Sequence, residues 1–199
     1  MTAIVVFVEQ IGGNPKRSSL EAVSAAKAAG GDVTAVVAGA AAEAAAAKLG
    51  ACGAARAVAL LGAAPDSPYS PDGAAADVAA IAREAGAKVC LASATATGKD
   101  LMPRVAALLD SVPFTDCTAF RLESGRPVVV RPVLAGKAVA TLSSESPVFC
   151  ATLRPNTFKA ESGGGAAEVT TRPASAGKVR VVSVSEKSAG KLDVKEAPI

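Results

Sequence analysis

The chain contains no histidine and no tryptophan, and only one tyrosine. Without histidine, the commonest general base near neutral pH and the commonest metal ligand are both missing. Hydroxyls such as Ser93, Ser143 and Ser144 therefore have no imidazole to activate them, and no lysine dyad stands beside them. None reads as a nucleophile. Glu9 and Asp116 stand alone in the sequence, with nothing to make them an acid pair. Aromatics make up only 3% of the chain, so its core must be built from small side chains, chiefly Ala and Val. The four cysteines, Cys52, Cys90, Cys117 and Cys150, are spaced too widely for a zinc or iron–sulfur pattern. Cys90 and Cys150 sit inside apolar runs, and the four read as buried thiols in a reducing compartment. No catalytic residue and no metal ligand is assigned.

Clustered charge is also lacking. The net charge is +3, and the basic residues are spread along the chain, so no nucleic-acid footprint is expected. The short stretch Asn14-Pro15-Lys16-Arg17 reads as a solvated loop. The apolar run Ala3–Val8 is too short to span a membrane, and no basic segment precedes it. No signal peptide or transmembrane helix is read. The expected location is the cytoplasm of a bacterium, or the mitochondrial matrix after removal of a transit peptide.

What is present is an alternation. Hydrophobic residues make up 50% of the 199 residues and charged residues 20%, which favours a packed core over disorder. Ile4–Val8 is a continuous apolar run, as expected of a central parallel strand covered on both faces. A helix follows, capped by Ser18 or Ser19, helped by Glu21 in its first turn, and ended by Gly30-Gly31. The pattern then repeats: strand 33–38, helix 41–49, strand 57–61, helix 72–85, strand 89–92, helix 99–110. Strand and helix alternating at this spacing predict βαβ units, a mostly parallel sheet and a three-layer α/β/α sandwich of Rossmann-like type. Beyond Ser111, β-type runs at 115–122, 127–133, 137–142 and 148–153 are separated by turn signals and read as an antiparallel extension of that sheet. Residues 1–155 are taken as one α/β domain. Residues 156–199 are taken as a loop, one further strand at 178–185 and a charged linker from Lys187 to Ile199.

The stretch Thr97-Gly98-Lys99-Asp100 suggests a phosphate loop and fails the comparison. Ser93 stands where the first glycine of that loop belongs, and Asp100 stands where Ser or Thr should follow the lysine. Asp100 reads instead as a helix cap, with Pro103 in the first turn. Arg104 falls on another face, open to a salt bridge or an interface. The loop still follows a parallel strand at its carboxyl end, where open α/β sheets bind ligands. Thr95, Thr97, Gly98 and Lys99 are therefore the candidate anion or nucleotide loop.

Residues Ser93–Leu109, with Ala25-Ala26-Lys27 and Gly30-Gly31-Asp32-Val33, then Arg131–Thr141, then Thr152–Phe158, closely resemble the alpha subunit of the electron transfer flavoproteins, in the family's order and over nearly the whole chain. The resemblance implies an N-terminal α/β domain with a nucleotide-hydrolase-like topology. It also implies a C-terminal domain holding FAD, and a beta subunit completing a heterodimer. The flavin of that family takes electrons from acyl-CoA and other dehydrogenases and passes them to a membrane quinone reductase. This sequence ends at Ile199, about where the flavin domain would begin, so FAD is expected in a full-length subunit and not on this stretch. Residues 191–197 resemble the link into that domain. The expectation is a scaffold that docks the beta subunit and supports the flavin domain, with no catalytic site of its own. The alternative is a stand-alone nucleotide-binding module of the same fold.

Overall fold

The computed structural model describes residues 1–62 and 70–179. The predicted strand at 178–185 and the charged linker fall almost wholly outside these residues. In strand β1 (Thr2–Val8), Ile4, Val6 and Val8 enter one core while Val5 and Phe7 enter the other. That is why the run carries no polar alternation. A short hairpin, β2 (Gln10–Ile11) and β3 (Asn14–Pro15), leads into α1 (Arg17–Ala28). Then come β4 (Gly31–Ala38), α2 (Ala42–Ala46), a 3-10 turn (Leu49–Cys52), β5 (Arg56–Leu61), α3 (Pro71–Glu84), β6 (Val89–Ser93) and α4 (Ala96–Leu108). They are followed by β7 (Pro113–Cys117), β8 (Ala119–Glu123), β9 (Arg126–Val133), β10 (Ala138–Leu142), β11 (Phe149–Leu153) and β12 (Glu168–Pro173).

Among the described residues, seven strands form one sheet in the order β12-β5-β4-β1-β6-β11-β7, and every neighbouring pair is parallel. Helices α1 and α2 cover one face, with Ala22, Val23, Ala26, Ala42, Ala45 and Ala46 against the strands. Helices α3 and α4 cover the other through Val78, Ile81, Leu101, Met102 and Val105. The expected three layers are present, and alanine at the contacts lets helix and sheet approach closely. Each Val or Leu buried in these cores contributes roughly 1.5–3 kcal/mol relative to exposure.

Past residue 111 the arrangement differs from an extension of the sheet. Strands β8, β9 and β10 make a separate antiparallel sheet in the order β10-β9-β8. Phe120 and Val129 of this small sheet turn into the core on the α1 side. Strand β11 returns to the parallel sheet and inserts between β6 and β7. The physical reason is polarity. All five residues of β11 are buried, which suits a central position, whereas β10 is largely exposed and suits a solvated edge.

Strand β12 was not read from the sequence. It lies along β5 at the sheet edge with all six residues exposed, so it lacks the apolar signature that marks the inner strands. The helix expected over 41–49 is confined to Ala42–Ala46 before the 3-10 turn.

Candidate functional site

Two polar clusters form at the carboxyl ends of the parallel strands. The first lies where the chain's direction across the sheet reverses. From β1 the crossover through α1 leads to β4 on one side, and β6 lies on β1's other side, with α4 leading further that way. Such a switch point is the usual ligand crevice of an open α/β sheet.

Here the crevice is filled by the protein's own carboxylate. Glu9, just past β1 and buried, accepts a hydrogen bond from Lys16 Nζ at 2.8 Å and another from Thr95 Oγ1. Its backbone amide donates to Ser19 Oγ at 3.0 Å, and its carbonyl accepts from the Lys16 amide at 2.8 Å. Thr95 caps α4, its Oγ1 accepting from the Gly98 amide at 3.1 Å. The start of a helix attracts negative charge, and Glu9 supplies it from within. Gly98 closes the crevice from below: a Cβ at this position would lie 1.9 Å from the Ser93 carbonyl oxygen. Ser93 Oγ is buried with no hydrogen-bond partner among the described residues.

The helix starts were misread by a few residues. Helix α4 begins at Ala96 with Thr95 as cap, so Asp100 lies inside it and pairs with Arg104 one turn on, at 3.0 Å. Pro103 is interior and cannot donate to the carbonyl four residues back. Helix α1 starts after Lys16, without a side-chain cap. Ser19, Glu21 and Ser24 are buried and each accept an amide from elsewhere, respectively those of Glu9, Asn156 (2.7 Å) and Glu161 (2.9 Å). Ser19 thus pins the loop after β1 to α1, and Glu21 and Ser24 pin the segment after β11 to it.

The second cluster lies at the ends of β7 and β11. Between the pairs Phe114–Ala151 and Cys117–Leu153 the register slips, so Thr115 and Asp116 oppose Thr152 alone. This bulge puts Asp116 in the left-handed region, at φ 63°, where its amide donates to Thr152 Oγ1 at 3.0 Å. A non-glycine residue held there costs roughly 1–3 kcal/mol, which the surrounding structure must offset. The bulge re-aims the side chain. Asp116 accepts two hydrogen bonds from Arg154, Nε to Oδ1 at 3.1 Å and Nη2 to Oδ2 at 2.6 Å. This fork holds the Asp116 carboxyl below its usual range and the Arg154 guanidinium above its own. The charges of Lys99 and Arg131 push Asp116 the same way.

Asp116, Arg131, Arg154 and the hairpin segment 132–136 line a groove of about 460 Å3. At its rim Leu134, Ala135 and Gly136 all have positive φ, 52°, 54° and 84°. Nearby Cys117 is pushed up to about 12 by burial and stays a thiol. All four cysteines are buried and free. Cys90 and Cys150 face each other across β6 and β11, and their mutual hydrogen bond, with burial, raises Cys90 well above its ordinary value.

The four residues of the candidate loop are thus divided between the clusters. Thr95 and Gly98 belong to the Glu9 crevice, Thr97 is half-buried in the first turn of α4, and exposed Lys99 acts on Asp116. Sequence reasoning missed the roles of Glu9, Asp116, Arg131 and Arg154. Among the described residues no group of three or more His, Cys, Asp or Glu is placed to hold a metal, and no helix is long and apolar enough to cross a membrane.

Comparison with known proteins supplies the family. The electron transfer flavoprotein domain matches residues 4–187. The chain belongs to the electron transfer flavoprotein family. It is 35% identical over 185 residues to the electron transfer flavoprotein subunit alpha of Pseudomonas aeruginosa, covering 88% of this chain and 56% of that one. It is 35% identical over 177 residues to the alpha subunit of Paracoccus denitrificans, covering 87% and 55%. With the mitochondrial alpha subunit of Oryza sativa subsp. indica the identity is 30% over 221 residues, covering 98% and 58%. The chain thus spans somewhat over half the length of these family members.

Proposed function

We propose that this chain is the N-terminal part of an electron transfer flavoprotein alpha subunit, a scaffold that docks a beta subunit and supports the domain holding FAD. In that setting it serves electron transfer from acyl-CoA and other dehydrogenases to a membrane quinone reductase, without catalysing a reaction itself. Its relatives are bacterial and mitochondrial, and the same reading puts it in the cytoplasm or the mitochondrial matrix.

The observation that carries the docking role is the open edge of the small sheet. Strand β10 pairs only with β9 among the described residues, and Val139 on it is 68% exposed. The β9–β10 turn holds out Leu134, 75% exposed. An unpaired edge strand with apolar side chains is a template for another chain. Arg104, exposed on α4 and paired with Asp100, remains a candidate interface residue.

The described residues do not suit a flavin. At the start of α4, where a dinucleotide's diphosphate would lie, Thr95 Oγ1 donates to the Glu9 carboxylate and the Gly98 amide donates to Thr95 Oγ1, and that carboxylate repels phosphate. The flavin is therefore assigned to a further part of the full-length subunit. The same carboxylate gives the stand-alone nucleotide-binding reading less support.

The test is to mix the chain with a beta subunit of the family at micromolar concentration and follow size exclusion. Co-elution is expected, together with its loss in Val139→Asp. Separate elution of the native pair would sink the docking role. A flavin absorbance in the purified chain alone would sink the assignment of the cofactor elsewhere.

A further inference from the structure

We propose that the groove between Asp116 and the β9–β10 hairpin is a binding site for an oxyanion, carboxylate or phosphate, carried on a small apolar body. The inference goes beyond the docking role and does not depend on it.

Three cationic side chains, Lys99, Arg131 and Arg154, act on one carboxylate, Asp116. Both oxygens of that carboxylate are taken by Arg154. Arg131 makes no bond to it: its Nε is buried with no hydrogen-bond partner among the described residues. A buried guanidinium donor without an acceptor is costly and uncommon. The planar fork of arginine fits the two oxygens of a carboxylate or phosphate. Arg131 lines the groove, so an acceptor entering there meets it beside Arg154.

The surroundings favour a ligand over chance. The bulge at β7 fixes Asp116 in a left-handed conformation, and Asp116 in turn fixes the guanidinium of Arg154. Asp116 is thus a positioning residue. Pro132, Val133, Leu134 and Ala135 also line the groove and offer apolar surface. Cationic and apolar lining in one groove suits an oxyanion bearing a short hydrocarbon. By contrast the Glu9 crevice already contains its own anion. The paired thiols Cys90 and Cys150 are buried away from any reagent.

The experiment titrates the isotope-labelled chain with inorganic phosphate, acetate and hexanoate, reading amide shifts of residues 133–136 by nuclear magnetic resonance. Saturable shifts in these amides are expected, with hexanoate binding about fivefold tighter than acetate because its tail meets the apolar lining. Arg131→Gln should weaken binding about tenfold or more, since it removes the charged donor. Lys99→Gln, an exposed change that leaves the fold intact, should weaken it about threefold. Arg121→Gln on the same small sheet should leave it unchanged. No saturation by any of the three anions, or equal affinity in Arg131→Gln and the native chain, would overturn the site. Binding of phosphate with no preference for hexanoate over acetate would overturn the apolar body.

Discussion

At the carboxyl end of β1 the carboxylate of Glu9 is matched by Lys16, by Thr95 and by the start of α4. At the carboxyl ends of β7 and β11 the carboxylate of Asp116 is matched by Arg154, and two further cations remain. Both clusters belong to one parallel sheet, and their difference is one of balance. The first is neutralised from within and sealed by close packing under Gly98. The second is open, over-supplied with positive charge, and rimmed by residues in strained conformations. A switch-point crevice therefore does not by itself mark the ligand site. The charge left over after internal pairing is the better guide.

The largest effect is expected from breaking the seal. Gly98→Ala places a methyl carbon 1.9 Å from the Ser93 carbonyl, and both sides of that contact are backbone. Helix α4 would have to lift from β6, pulling Thr95 from Glu9. A loss of about 3 kcal/mol or more is expected in urea unfolding. An unchanged midpoint would show that the crevice is not closed by this contact.

Next comes the charge inside the seal. Glu9→Gln keeps an acceptor for Thr95 and removes the partner of Lys16. Since Glu9 is buried and hydrogen-bonded to charge, a loss of about 1–2 kcal/mol is expected. Anion uptake in the open groove should stay as it is in the native chain. If this variant alters hexanoate binding, the two clusters are coupled and the contrast between them fails.

The parts of this picture that the sequence shows are the local ones. Apolar runs such as Ile4–Val8 and 89–92, separated by helix-length alanine-rich stretches, are enough to give βαβ units and three layers. The buried thiols could also be read. The clusters could not be read in this way, because each is made by remote residues. Glu9 meets Thr95 across 86 positions, and Asp116 meets Arg154 across 38. The bulge that turns Asp116 is set by its pairing with β11, and no glycine marks it. Strand β12 is exposed on every residue and has only the β-branched run Val169-Thr170-Thr171 as a signal. The helix starts erred because Ser19, Glu21 and Asp100 have the chemistry of caps, while remote amides claim the first two and Arg104 of the same helix claims the third.

The smallest effect tests the open side through pH. Hydrogen bonding to Arg154 lowers the folded pKa of Asp116 below its unfolded value. Its ionised form therefore adds stability above the unfolded value, near 4 for an aspartate, and that contribution is lost as pH falls through the lowered folded value. Asp116→Asn preserves shape and suits the left-handed backbone, so the charge alone is removed. Because the pair is partly exposed, the native chain should exceed the variant by less than about 1 kcal/mol at pH 7. Urea midpoints of the two proteins should converge below pH of about 4. A gap that persists at low pH would mean that Asp116 acts through shape rather than charge. The open groove would then owe its form to the bulge and not to the ion pair.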